Sequence, residues 1–365
     1  MNTTGLVRRS GIAVNGNKID LRPGASYQVG IVQFSHGEGI AQVLCDELIA
    51  LGHTPVCLSS SVIPNEVDVV FSFGPYGNFL SVPSQLASMP VERRPTFVHW
   101  NTEGLPDLRL AWRLMSTMGT CRSWMGRLAD SDNRWVRFLA SEPPLSWINA
   151  RMFRFRYVGD YYYAHRRGWM DVFADSSTIY ARLHAKHGLP TIFAPWGATP
   201  RWYDNLKLER DIDVLWMGKR ATKRRHNLLN RVRSELQAHG VQVHVADGVE
   251  NPFIFGEERT QFLNRAKITL NLTRTWYDDN FSRFAMACPN RSLVVSEPLL
   301  PHCPYYEPGI HYVSAPTEIL AETILYYLEH EEERLRIAEN AYELVTTVLT
   351  FQNSIKTIMD AVSRA

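Results

Sequence analysis

The sequence predicts an α/β protein of two doubly wound, Rossmann-like domains that face each other across a cleft. At 365 residues the chain is longer than one compact core usually allows. Short apolar runs of strand length alternate with helical segments in both halves, as in parallel sheets covered by helices. The passage TIFAPWGATPRWYD, rich in Pro and aromatic residues, separates the two halves and is typical of a linker.

The first half begins with a polar, Gly-punctuated arm over residues 1–26. The runs YQVGIVQF, TPVCL, VDVVFSF and PTFVHW then predict buried parallel strands, and the first helix is expected to end before Gly52. We therefore expect the N-terminal domain to span residues 27–195.

The second half follows a linker over residues 196–210 and is expected to form a C-terminal domain over 211–350. Its predicted strands are DIDVLWMG, VQVHVA, KITLNL and RSLVVSE, with a helix from about Asn227 to His239 between the first two. The tail has a helical period, and residues 351–365 are expected to form a helix that crosses back to the N-terminal domain.

Composition excludes several classes of protein. Hydrophobic residues make up 45% of the chain and charged residues 21%, as in a globular protein rather than a disordered one. The net charge of +2 provides no global field for polyanions, and the five cysteines include no C-x-x-C pair typical of a zinc site. No run approaches 18 apolar residues, so we expect a cytoplasmic protein. No metal-ligand spacing is present in the sequence, and we expect neither a metal nor a cofactor.

The loop after the first predicted strand is close to a dinucleotide fingerprint. It contains Gly37 and Gly39, but Gln42 stands where the third glycine should be, and Ser59 stands near the place of the acid that binds ribose. This pattern disfavours an NAD enzyme. A tight turn that needs glycine is the alternative interpretation.

A diphosphate-binding loop is predicted after DIDVLWMG. Backbone N–H groups at a helix start bind anions, and guanidinium groups bind phosphate oxygens. Cations at that end of a helix oppose its dipole, which favours an anionic ligand, although a solvated basic turn is the alternative. The residues concerned are Gly218, Lys219, Arg220, Lys223, Arg224 and Arg225.

The stretch from Asp211 to Phe351 resembles the C-terminal domain of GT-B glycosyltransferases, in particular the group-1-like proteins that include the spore maturation protein CgeB. The first half resembles that family only in layout, through GIVQFSHGEG, ALGHTP, FADSS and LPTIFAPWGATPRWY. The pieces that match in order are DVLWMG, RRHNLL, KITLNL, DDNFSRFAMAC, SLVVSEPL, YYEPGIHYV and EILAETILYYLEHEEERLRIAENAYELV.

The resemblance implies a metal-independent transferase that moves a sugar from a nucleotide sugar, such as a UDP- or GDP-sugar, to an unidentified acceptor. Arg283 would neutralise the leaving phosphates, and Glu297 would lie near the nucleoside or the sugar. The full predicted donor set is Gly218, Lys219, Arg220, Arg225, Thr273, Asn280, Arg283 and Glu297.

One departure from the family concerns the acid that is expected to hold the ribose. The family carries Glu before Ala-Met-Ala-Cys-Gly, whereas Phe284 opens this run here and a proline follows Cys288. Either Asp278, Asp279 or Glu297 takes over that task, or the donor is bound unusually. We expect Phe284 and Cys288 themselves to be core residues.

The N-terminal domain is expected to supply a group that deprotonates the acceptor. The candidates are Glu103, His36 and His99, each of which lies at or just after the end of a predicted strand. The alternative is that Glu103 and Asn101 cap a helix and that His99 is a half-buried structural residue. A retaining reaction without such a base also stays open.

The acceptor is placed at a segment in which Arg alternates with apolar residues. MFRFRYV predicts a strand with one buried face and one face that presents Arg154 and Arg156. These arginines, with Gly37 and Gly39, form the predicted acceptor site. A solvated edge strand is the alternative.

A second class of function comes from the region between Trp100 and Met170. It holds eleven arginines, no lysine and six acids, and so carries a local charge of +5, with six tryptophans interleaved. Such a region suits a nucleic acid, an anionic surface or a peripheral membrane contact. A third hypothesis, a catalytically inactive GT-B scaffold, is favoured by Phe284 in place of the usual acid.

Overall fold

The computed structural model confirms an α/β fold with two parallel sheets, each covered by helices. Alternate residues of the strands pack on opposite faces of each sheet, so that the N-terminal sheet contributes to two cores and the C-terminal sheet to two others. The residues that the structure describes are 25–32, 39–58, 63, 66–74, 79–275, 282–300 and 305–364.

The N-terminal sheet has the strand order β2-β1-β3-β4-β5-β6, and all of its pairings are parallel. Its two central strands, β3 and β4, are buried at every residue, as their Val- and Phe-rich sequences predict. The strands are β1 (Gln28–Val32), β2 (Thr54–Leu58), β3 (Val69–Phe73), β4 (Thr96–Asn101), β5 (Val172–Asp175) and β6 (Ile192–Phe193).

The C-terminal sheet has the strand order β11-β10-β9-β7-β8 and is also parallel. The strands predicted from the sequence are confirmed to within about two residues at each end. The four predicted strands are β7 (Ile212–Met217), β8 (Val243–Ala246), β9 (Ala266–Asn271) and β10 (Leu293–Ser296). The structure adds a short edge strand, β11 (Val313–Ser314), which the sequence analysis does not predict.

The helices cover both faces of both sheets. The first seven belong to the N-terminal domain: α1 (Ile40–Ala50), α2 (Ser81–Ser88), α3 (Trp112–Ala129), α4 (Arg134–Ser141), α5 (Leu145–Arg151), α6 (Phe153–Arg166) and α7 (Thr178–Lys186). The others are α8 (Lys223–Ala238), α9 (Gly256–Arg265), α10 (Ser282–Ala287), α11 (Leu320–Glu329), α12 (Glu331–Thr347) and α13 (Phe351–Val362). None of the described helices is long and apolar enough to cross a membrane.

The segment MFRFRYV does not form a strand, and that prediction is wrong. It belongs to α6, which packs against α3 so closely that a Cβ atom on Gly159 would lie 1.9 Å from the carbonyl oxygen of Gly119. Five consecutive residues of this helix, from Val158 to Tyr162, are buried, so the helix is enclosed on more than one face. Tertiary contact with α3 therefore overrides a local alternation that is only a few residues long, and the strand face expected to bind the acceptor does not exist.

Two passages of chain connect the domains, and they pair with each other. The N–H of Ala198 donates to the carbonyl of Leu349 at 2.9 Å, and the N–H of Phe351 donates back to the carbonyl of Ala198 at 2.7 Å. A Cβ atom on Gly197 would lie 2.3 Å from the carbonyl carbon of Thr350, so only glycine permits this approach. Helix α13 then packs into the core of the N-terminal domain.

Candidate functional site

A cavity of about 300 Å³ lies at the carboxyl ends of β7, β8 and β9 in the C-terminal domain. Doubly wound sheets bind their ligands at this edge because the loops there are free to vary. The loop after β7 forms part of the cavity wall, with φ of +115° at Gly218 and +57° at Ala221. A non-glycine residue in the left-handed region is strained, and such strain is frequent at functional sites.

Basic side chains surround this cavity, and no acidic residue is among the described residues that line it. Cations from three helices and two loops therefore converge on one space. Such an arrangement favours a multiply charged anion, because guanidinium groups bind phosphate oxygens in pairs. The basic residues are Lys219, Arg225, Arg259, Arg274 and Arg283.

Arg283 is held in place at the N-terminal end of α10. Its Nε donates to the carbonyl of Met217 at 2.9 Å, and its Nη1 donates to Oδ1 of Asn271 at 3.0 Å. A Cβ atom on Gly218 would lie 3.0 Å from Nη2 of Arg283, so glycine at this position leaves room for the guanidinium group. The group is therefore fixed in direction before any ligand arrives.

Arg225 and Arg259 place largely buried guanidinium groups beside the same cavity. Nη1 of Arg225 donates to the carbonyl of Lys219 at 3.0 Å and thereby braces the loop after β7. Thr222 caps α8 by accepting the backbone N–H of Arg225 at 3.2 Å. The hydrogen bonds at the basic start of α8 therefore hold Arg225 in the lining of the cavity.

The other wall of the cavity is apolar and comes from the loop between β8 and α9. It contains Phe253, Ile254 and Phe255, and a Cβ atom on Gly248 would lie 2.4 Å from the Phe253 ring. Beside this wall, the buried Oγ1 of Thr273 has no hydrogen-bond partner among the described residues. The site therefore offers a flat apolar surface and a free hydroxyl next to its cations.

Glu297, predicted to lie near the nucleoside or the sugar, does not line the cavity. Its carboxylate accepts the backbone N–H of Thr273 at 2.6 Å and forms an ion pair with Arg224. The hydrogen bond to Glu297 raises the pKa of Arg224, so this guanidinium group stays charged. Glu297 therefore positions the loop after β9, whose residue Thr273 lines the cavity, without lining the cavity itself.

Arg220 also lies apart from the described lining of the cavity. Its guanidinium group forms ion pairs with Asp247, at 2.5 Å, and with Glu250. This differs from the predicted role in donor binding, because two carboxylates already hold the group. Gly218, Lys219, Arg225, Thr273 and Arg283 line the cavity, and their roles as donor ligands stay predictions.

Glu103 of the N-terminal domain reaches the rim of the cavity. Its Oε2 lies 3.5 Å from Nη1 of Arg274, which is a lining residue of the C-terminal domain. Asn101 holds the loop by donating to the carbonyl of Glu103 at 2.9 Å and to Asp175 at 2.7 Å. The cavity therefore faces the N-terminal domain, and of the two predicted bases that the structure describes, Glu103 and His99, Glu103 is the one that lies beside it.

His99 occupies the core of the N-terminal domain rather than the cleft. It is fully buried on β4, and its Nδ1 lies 3.0 Å from the hydroxyl of Ser72. Burial lowers the pKa of His99 to about 3, so the ring is neutral at physiological pH. The half-buried structural interpretation was closer than the catalytic one, although the burial is complete.

Several predicted residues have other outcomes. Arg156 pairs with Asp130 and Asp160 on the α3–α6 side of the molecule, and Gly39 precedes α1 with φ of +67°. Phe284 and Cys288 are fully buried, so the prediction that they are core residues is confirmed. The calls on His36, Gly37, Asp278, Asp279 and Asn280 lie outside the described residues.

Comparison with known proteins agrees with this geometry. Residues 219–360 match the family model described as "Glycosyl transferase-like". This match covers the C-terminal part of the chain, and the chain as a whole has the GT-B fold of glycosyltransferases. The comparison with curated proteins gives no match.

Solved structures share the fold of this GT-B protein over most of its length. HepE of Anabaena, in complex with UDP and glucose, has a TM-score of 0.54 at 10% identity, over 93% of this chain and 100% of that one. Sucrose-phosphate synthase from Thermosynechococcus elongatus has a TM-score of 0.54 at 10% identity, over 92% and 98%. TarM has a TM-score of 0.51 at 9% identity, over 80% of this chain and 54% of that one.

Sequence reasoning missed part of the cavity of this GT-B protein. Arg274 follows the predicted strand KITLNL after one residue, Thr273, so the rule that ligands bind beyond strand ends could have identified it. Arg259 lies within α9 among acidic neighbours and reads as an ordinary surface residue. The loop with Phe253 and Phe255 carries no motif. No group of three or more metal-ligating side chains is found among the residues that the structure describes.

Proposed function

We propose that the protein transfers a sugar from a nucleotide-sugar donor, bound in the C-terminal cavity, to an acceptor on the N-terminal side. The observation that carries the proposal is the cavity itself: five basic residues and no acid among its described lining, at the carboxyl ends of three parallel strands. The glycosyl transferase-like match over residues 219–360 includes every described lining residue of this cavity except Met217 and Gly218.

The diphosphate of the donor is assigned to the basic side of the cavity and the base to the apolar side. Lys219, Arg225 and Arg283 converge on one region, whereas Phe253 and Phe255 offer surface for stacking a flat base. UDP is the first nucleotide to test, because HepE of Anabaena was solved with UDP and glucose.

Arg283 and Arg225 are proposed to stabilise the nucleoside diphosphate as the leaving group. Negative charge develops on the nucleoside diphosphate as its bond to the sugar breaks, and preorganised cations stabilise that charge without reorganising. Arg283 and Arg225 are already fixed by hydrogen bonds to backbone carbonyls. We therefore propose that transfer requires no divalent cation.

Glu103 is proposed to deprotonate the acceptor hydroxyl. It lies on the N-terminal side of the cleft and within reach of the cavity through Arg274. A carboxylate at hydrogen-bond distance from the attacking hydroxyl contributes by accepting its proton as the new glycosidic bond forms. The ion pair with Arg274 orients that carboxylate toward the donor.

The test is titration calorimetry with UDP, GDP and UDP-glucose, each with and without EDTA. Arg283→Ala and Arg225→Ala should each weaken binding by about 1.5 to 3 kcal/mol, which is about 10- to 150-fold. Arg265→Ala, which removes a surface pair with Asp211, is the matched control and should bind as the wild type does. Wild-type affinity in both cavity variants, with intact folding, would place the donor elsewhere, and loss of affinity in EDTA would contradict metal independence.

A further inference from the structure

Helices α4 and α5 present an apolar surface to solvent. Trp135 is 76% exposed, Leu139 62% and Phe138 53%, and these three residues stand at positions i, i+4 and i+3 of one helix. A stripe at that spacing normally packs against a core. Here the buried residue of α4 is Ala140 instead. The next two helices expose further apolar residues: Trp147 on α5 is 57% exposed, and Phe153 at the start of α6 is 51% exposed.

Arginines flank this stripe. Arg134 and Arg137 are exposed on α4, and the guanidinium carbon of Arg151 lies 3.6 Å from the centre of the Trp147 ring. Between residues 133 and 153 the only acid is Glu142. The tryptophan–arginine surface is defined as Trp135, Phe138, Leu139, Trp147 and Phe153 with Arg134, Arg137 and Arg151.

We propose that the tryptophan–arginine surface binds the anionic interface of a lipid bilayer and holds the N-terminal domain against it. Tryptophan prefers the level of the lipid headgroups, and exposed Phe and Leu gain free energy by entering the acyl boundary. Arginine is attracted to anionic headgroups at the same depth. This inference goes beyond the transfer reaction, since it concerns where the enzyme works.

Two other occupants fit the surface less well. A nucleic acid would stack its bases on the aromatic rings. The stripe also contains Leu139, and contact with a phosphate backbone would not give the free energy that burial of this apolar side chain can provide. A second copy in a two-fold contact would bring the same arginines face to face. The combination of aliphatic, aromatic and cationic groups therefore favours a lipid surface.

The experiment is co-sedimentation of the full chain, without nucleotide, with vesicles of phosphatidylcholine and with vesicles that contain about one third phosphatidylglycerol. Binding to the anionic vesicles is expected to exceed binding to neutral ones by about tenfold or more and to fall at high salt. The variant Trp135→Ser/Phe138→Ser/Leu139→Ser should lose about tenfold or more of that binding. Arg134→Gln/Arg137→Gln should remove most of the preference for anionic lipid.

The matched control is Ile319→Ser/Leu335→Ser, which removes comparably exposed apolar residues from the C-terminal domain and should bind as the wild type does. The single variant Trp135→Ser is expected to fold as the wild type does, because the Trp135 side chain is mostly in solvent, and it therefore tests the surface even where the triple variant does not fold. No vesicle binding, or equal binding by the stripe variants, would overturn the proposal. So would stripe-dependent binding of single-stranded RNA, or stripe-dependent dimerisation, in place of vesicle binding. UDP affinity of the same variants, measured in parallel, separates this outcome from failure of donor binding.

Discussion

Arg283 and Arg225 of the cavity and Arg156 of the N-terminal domain make different kinds of contact. In the C-terminal cavity, Arg283 and Arg225 donate to backbone carbonyls. In the N-terminal domain, Arg156 lies between the carboxylates of Asp130 and Asp160, at 2.7 and 3.1 Å. A carbonyl fixes the direction of a guanidinium group without adding a negative charge, whereas a carboxylate adds one. Arginines of the first kind are expected to serve binding, and those of the second kind stability.

The largest effect expected from this comparison is on stability. Arg156→Gln leaves the carboxylate of Asp160, which is about 1% exposed, without its ion-pair partner. Burial already raises the pKa of Asp160, so the unpaired charge is unfavourable. We expect a loss of about 3 kcal/mol of unfolding free energy, measured by chemical denaturation, with unchanged UDP affinity.

The control for that prediction is Arg154→Gln, two residues away on α6 and outside this ion-pair network. It should stay within about 0.5 kcal/mol of the wild type. A loss of UDP affinity in Arg156→Gln without a loss of stability would break the distinction between the two groups of arginines.

The second effect is on turnover. Glu103→Gln should lower the rate of UDP release from a UDP-sugar by about a hundredfold or more, because the amide cannot accept the proton. The dissociation constant for UDP should change little. Asp107→Asn, at the next acid along the same loop, is the matched control, since its carboxylate pairs with Arg109 instead. Weakened UDP binding with unchanged turnover would mean that Glu103 only positions Arg274.

The third effect concerns acid sensitivity, to which two fully buried histidines of the N-terminal domain should contribute. Burial lowers the pKa of both His99 and His184 to about 3, whereas an unfolded histidine has a pKa near 6.5. Between these values the unfolded chain binds protons that the folded chain does not, so stability falls as the pH falls below about 6.5. Each histidine contributes up to about 1.4 kcal/mol per pH unit.

The measurement is the free energy of unfolding at several pH values between about 7 and 5, which brackets the upper end of that window. His99→Gln should have a shallower pH slope than the wild type, whatever its absolute stability at neutral pH. An unchanged slope would mean that His99 is not buried in the neutral form.

How much of this could be read from the sequence differs between sheet and site. Buried parallel strands are predictable because apolar runs such as VDVVFSF fit few other structures. The strand predicted over MFRFRYV failed because Gly159 and Gly119 let two helices meet, and contact between distant residues is invisible in local alternation. The motifs identified Gly218 and Arg283, and both residues line the cavity. The role of an arginine, however, depends on which hydrogen-bond acceptor its guanidinium group contacts, and the sequence motifs do not show that contact.

Arg220 gives the smallest and most discriminating expectation. It neighbours Gly218 and Lys219 in sequence, yet its guanidinium group is held by Asp247 and Glu250 and does not line the cavity. Arg220→Gln should therefore change UDP affinity by less than about twofold, whereas Arg283→Ala should change it at least about tenfold. Asp247 keeps the backbone N–H groups of Val249 and Glu250, both at 2.8 Å, so the loss of stability should be only about 1 kcal/mol. Calorimetric titration of both variants decides the matter: a tenfold loss in Arg220→Gln would show that carboxylate-paired arginines also bind the donor.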